Sequence, residues 1–128
     1  MLQAYAYLIH LLAGFAMLAA FAFVYLHVTP FDEIALIRRG NVAAALSFAG
    51  ALIGFCLTLA SSIMHSDGFV IFVSWAAGAM LVQVATYAIT TRIVHNVNEA
   101  IAEDNVAMGT LMFSVSVVVG IVNAACLS

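Results

Sequence analysis

His10 is the only histidine or charged side chain well inside an apolar stretch of this sequence. An ionisable group at that depth is a functional candidate by default, as a proton carrier or as a polar lining group. It sits about five residues, or ~8 Å, from the start of its stretch. With no acid or lysine at similar depth to relay a proton, a neutral, hydrogen-bonded histidine is the simpler expectation, and as a histidine it is the sequence's first choice for a pH-sensing group. The same depth is reached by Ser74, by Thr58 to Ser62, and by Asn123. His10, Ser74, Thr58, Ser62 and Asn123 therefore form a candidate polar layer, read either as interhelical hydrogen bonding or as the lining of a pore.

Asn41 and Asn105 each open an apolar run. Asparagine caps helices well, so capping is the first reading and a pair at an inner mouth the second. Small residues recur on a four-residue step at Gly50, Gly54, Thr58 and Ser62, and again at Ser116, Gly120 and Ala124, a spacing that lets helices approach closely. Gly14 and Gly78 are read the same way. Gln83 and Thr86 suit interhelical hydrogen bonds, while Ser47, Thr110, Ser114 and Ser116 can return their hydroxyls to their own helix. Cys56 and Cys126 differ in depth by ~10 Å, too far for an internal disulfide, which needs Cα atoms within about 7 Å; an intermolecular bridge through Cys126 stays open. His27, His65 and His95 lie at the ends of runs without metal-ligand spacing, so neither a metal nor a cofactor is expected. No nucleophile–base pair or phosphate loop appears, and no catalytic residue is assigned.

The elements that must hold these groups follow from composition. The chain has 128 residues, 66% hydrophobic and 7% charged, far more apolar surface than a small soluble domain can bury. Its cations are three arginines, Arg38, Arg39 and Arg92, too few for a nucleic-acid surface. Apolar runs near 5–27, 42–64, 69–91 and 105–127 are each long enough to cross a bilayer. Unbroken runs of this length suit helices rather than the alternating strands of a barrel, so the expected fold is all-α with four transmembrane helices. The arginines fall in the breaks Val28–Asn41 and Arg92–Asp104, which places these in the cytoplasm and both termini in the periplasm. Thr29 as cap, Pro30 at the first helical position and Phe31, Ile34, Ala35 and Arg38 along one side predict a short interfacial helix in the first break. Asn96, with Glu99 three residues on, predicts another in the second. Trp75 and Tyr5, Tyr7, Tyr25 and Tyr87 read as lipid-facing or interfacial.

A shift of 64 lays Asn41-Val42-Ala43 on Asn105-Val106-Ala107, Ala13-Gly14 on Ala77-Gly78, Ile37 on Ile101 and Ala60 on Ala124. The chain thus divides into two helical-hairpin repeats, 1–64 and 65–128, of one membrane domain. Each has an even number of spans, which makes the repeats parallel rather than inverted.

Thr29-Pro30-Phe31-Asp32-Glu33, Gly40-Asn41-Val42-Ala43-Ala44-Ala45 and Asn123-Ala124-Ala125-Cys126-Leu127-Ser128 give the chain a resemblance to the YjfL-type bacterial inner-membrane proteins, a family of unknown function. The resemblance implies an inner-membrane location and, in many genomes, neighbours linked to envelope stress or to ligases of the ATP-grasp type, and supplies no catalytic residues. The expected role is a non-enzymatic component of the lipid bilayer, working as a homo-oligomer or with a membrane or soluble protein partner. A small channel lined by His10, Ser74 and Asn123 is the alternative, and a membrane anchor for a soluble enzyme the third.

Overall fold

The computed structural model describes residues 2–65 and 67–127. Ser66 of the second break, Met1, and Ser128 at the end of the Asn123–Ser128 segment lie outside the described residues. Helices run over Leu2–Val28 (α1), Glu33–Arg38 (α2), Val42–His65 (α3), Phe69–Ile93 (α4), Val97–Ala102 (α5) and Val106–Cys126 (α6). α1, α3, α4 and α6 are long and apolar enough to cross a membrane. In each, unbroken Ala-, Leu-, Val- and Phe-rich sequence leaves the backbone to satisfy its own hydrogen bonds, the condition for spanning lipid.

The elbow α2 begins later than the sequence suggests. Thr29 turns its hydroxyl back to the Leu26 carbonyl at 3.3 Å and does not cap α2. Asp32 does so instead, accepting from the Ala35 amide at 3.2 Å. The elbow's buried face is also a different one: Ile34 and Arg38 are exposed, whereas Glu33 is buried and Leu36 and Ile37 pack against the core. Asn96 stands before α5 in a left-handed conformation, φ 63°, and makes no side-chain cap.

Both elbows end in the same hydrogen-bond pattern. Gly40 N donates to Ile37 O at 3.0 Å and Asn41 N to Leu36 O at 3.0 Å; Asp104 N donates to Ile101 O at 3.0 Å and Asn105 N to Ala100 O at 2.8 Å. These are Schellman closures, with the left-handed residue at Gly40 (φ 85°) and Asp104 (φ 63°). The next asparagine then caps the following long helix: Asn41 accepts from Ala44 N at 2.8 Å, Asn105 from Met108 N at 3.3 Å.

α3 is the central helix and packs most extensively on α6. The two run parallel, since Ala43 lies beside Gly109 near their starts and Ser61 donates to Ala124 O at 2.7 Å near their ends. Small residues set this approach. A Cβ on Gly50 would lie 2.5 Å from Phe113 Cα and one on Gly109 2.6 Å from Ala43 Cα, while one on Gly120 would strike the Gly54 backbone. α1 and α4 run the opposite way to α3: Phe21 stacks on Phe55 with ring centroids 4.6 Å apart, and Ser62 donates to Phe72 O at 3.1 Å. The outer faces of α1 (Leu8, Leu12, Phe15), α4 (Trp75, Leu81, Ile89) and α6 (Val118, Ile121, Val122) are exposed and apolar.

Candidate functional site

The Asp32 cap fixes the start of α2 and so points its first residue, Glu33, inward beneath the elbow. Glu33 is only 1% exposed, and among the described residues neither carboxylate oxygen has a hydrogen-bond partner. Its surroundings come from three directions. α1 contributes Tyr25 and the adjoining Thr29, α4 contributes Tyr87, and the charge of Glu33 acts on both phenols. The two rings meet edge to face at 5.5 Å. Tyr25 Oη shares a 3.2 Å hydrogen bond with Ser47 Oγ of α3, and Tyr87 Oη donates to Asn98 Oδ1 of α5.

Burial pushes the Glu33 carboxyl up to about 7, with the Thr29 hydroxyl pulling the other way. A buried carboxylate without a counter-ion is costly, and such a group relieves the cost by taking a proton. Around it, the Thr29 hydroxyl reaches Leu26 O and Tyr87 Oη donates to Asn98 Oδ1, and no positive charge stands among these groups. Such burial suits a neutral carboxylic acid better than a carboxylate. Among the described residues no group of His, Cys, Asp and Glu is arranged to hold a metal ion.

The residues singled out from sequence are dispersed. His10 bonds through Nδ1 to Ala6 O of its own helix at 2.8 Å and lies against Phe69 and Phe72. It borders a groove of about 440 Å³ open to the side, with Gln3, Tyr7 and Ile63 on its walls. Ser74 is exposed and returns its hydroxyl to Val70 O. Thr58 is buried in the α3–α6 seam, placed to donate to either Gly54 O or Gly120 O, each at 3.2 Å. Ser62 faces α4 instead, so the small-residue stripe of α3 is split between two neighbours. Asn123 has its Nδ2 buried with no partner among the described residues. Gly14 would meet Ile63 at an ordinary 3.8 Å if it carried a Cβ, and Gly78 meets nothing within 4 Å, so no close approach forms at Gly78.

Asn41 does more than cap: its Nδ2 donates to Ile101 O at 2.9 Å, tying α3 to α5. Asp104 reaches the other way and accepts from Ala43 N at 3.0 Å, putting a carboxylate on the start of α3. Gln83 donates to Ser116 O at 3.3 Å as an interhelical bond, whereas Thr86 bonds within its own helix. Thr110 and Ser114 also bond back within α6. Ser47 does not, since its hydroxyl pairs with Tyr25. Cys56 and Cys126 are free and exposed.

Sequence reasoning placed Tyr25 and Tyr87 at the lipid interface; both are buried, beside the buried Glu33. A signal was available. Glu33, Leu36 and Ile37 stand at i, i+3, i+4, one face of a helix, and that face is the one turned inward.

The chain matches, over residues 1–127, the family described as Domain of Unknown Function (DUF350). It is similar to the UPF0719 inner membrane protein YjfL of Escherichia coli strain K12, 32% identical over 115 residues that cover 90% of this chain and 87% of that protein. The protein of the same title from Escherichia coli O157:H7 matches with the same identity and coverage. No solved structure matches. Matched along nearly its whole length, and with four helices long and apolar enough to cross a membrane, the chain belongs to the DUF350 family, described as of unknown function.

Proposed function

We propose that this protein is a non-enzymatic scaffold of the bacterial inner membrane that assembles with further copies of itself. The observation that carries this reading is how the spans use their polar groups. Thr58, Ser61, Ser62 and Gln83 all go to pairwise contacts between neighbouring helices, while the apolar outer faces of α1, α4 and α6 stay uncovered. The relatives' title as inner membrane proteins supports the location.

The scaffold consists of two units, 1–64 and 65–128. Support comes from the long–short–long helix order occurring twice and from Schellman closures 64 residues apart at Gly40-Asn41 and Asp104-Asn105. Both elbows face the cytoplasm, as the arginines require, and both termini face the periplasm. α2 and α5 are the surfaces open to a soluble partner there.

Mass measurement of the protein in lipid nanodiscs tests the proposal. A discrete oligomer is expected, and a strictly monomeric particle at every protein-to-lipid ratio refutes it. Planar-bilayer recording on the pure protein is expected to give no ion or solute flux. Steady conductance abolished by substituting His10 or Asn123 would establish the channel instead.

A further inference from the structure

We infer that Glu33 is a proton-binding site, occupied while the α2 elbow is docked on the bundle and emptied when the elbow lifts away. The inference stands apart from self-association and rests on the geometry beneath the elbow. Glu33 is 1% exposed, both of its oxygens are orphaned among the described residues, and no arginine pairs with it.

α1 presents Tyr25, and the connection after it presents Thr29; α4 presents Tyr87; α3 and α5 present the neutral Ser47 and Asn98 behind the phenols. On its own element Asp32, Arg38 and Arg39 are exposed to solvent. The two phenols are therefore the titratable groups that face Glu33, and neither supplies a positive charge. The neutral state needs one proton from bulk water: the carboxylate takes it to become a carboxylic acid, which costs far less to bury than a bare charge. Losing that proton leaves a bare charge in a closed setting without a counter-charge, and the least costly relief is to expose it by lifting a helix of six residues.

Burial pushes the Glu33 carboxyl up to about 7, in keeping with this geometry, which puts the transition near neutrality. A hard alkali cation would be attracted by the same oxygens, so the experiment must separate it from a proton.

The chain contains three glutamates, Glu33, Glu99 and Glu103, and side-chain carboxyl 13C labelling of glutamate gives an NMR spectrum simple enough to assign. With the full chain in lipid nanodiscs, Glu33→Gln removes the Glu33 signal; should that variant fail to fold, Glu99→Gln and Glu103→Gln assign it by elimination. Glu33 is expected to titrate near pH 7. Exchanging choline for sodium or potassium is expected to leave the Glu33 midpoint in place. Amide hydrogen exchange across α2, corrected for its intrinsic pH dependence, is expected to rise about tenfold per pH unit above the midpoint and to be flat in Glu33→Gln. Ionisation of Glu33 together with the other two glutamates overturns the site. A midpoint displaced by sodium or potassium makes it a metal-cation site, and exchange in the unsubstituted protein that ignores pH overturns the coupling to the elbow.

Discussion

Gly120 and Gly54 lie where two helix backbones nearly touch, and a single added carbon has nowhere to go because the obstacle is main chain rather than a side chain that can turn aside. Gly120→Val should destabilise the fold by about 1–3 kcal/mol, the usual range for an overpacked interface, measured as denaturing-detergent unfolding in mixed micelles. Gly78→Ala is the control. With open space around the new methyl it should be neutral or stabilise by about 0.5–1 kcal/mol through helix propensity. Asp104 carries two demands at once: a left-handed backbone, which costs roughly 1–2 kcal/mol for a side chain unable to compensate, and the cap on Ala43 N. Asp104→Ala should cost roughly 2 kcal/mol and Asp104→Asn less than half of that, since asparagine tolerates the conformation and keeps an accepting oxygen. Asp104 could not be read as a cap for α3 from its position 61 residues away, whereas Asn41 and Asn105, standing directly before their helices, could.

At the scale of the elements, the spans were legible because an apolar run of some twenty residues has one stable form in lipid. Their edges moved by at most three residues, as between the expected start at residue 5 and α1 at Leu2. The elbows were legible as helices and illegible in their facing. Six residues span fewer than two turns, too short for periodicity to single out one face, and the burial of Glu33 depends on Tyr25 and Tyr87 arriving from elsewhere in the chain. That burial gives α2 a pH dependence of definite sign. Below about pH 4.5 Glu33 is protonated whether the chain is folded or not. Between 4.5 and about 7 the folded state keeps a proton that the unfolded state has released, so stability falls as pH rises and levels off above 7. Between pH 5 and pH 8 the drop should amount to about 2.5 kcal/mol, read from unfolding at the two pH values, and it should be missing from Glu33→Gln.

For the whole molecule, orientation decides what each surface can meet. With cysteines introduced singly in a background lacking Cys56 and Cys126, Asp67→Cys should react with a membrane-impermeant maleimide on intact spheroplasts, and Glu103→Cys only after permeabilisation. The reverse pattern would turn the elbows toward the periplasm. The partnership of α3 with α6 also has a consequence in time. During synthesis α3 leaves the ribosome some 60 residues ahead of the helix it packs on, because Ala43 waits for Asp104 and Gly109, and Ser61 for Ala124. Until α6 arrives, α3 stands in the bilayer with a small, hydroxyl-bearing face against lipid tails and its first amides uncapped by Asp104. A nascent chain stalled after α3 should therefore be the form most readily taken up by quality-control proteases, and the arrival of α6 is what secures α3.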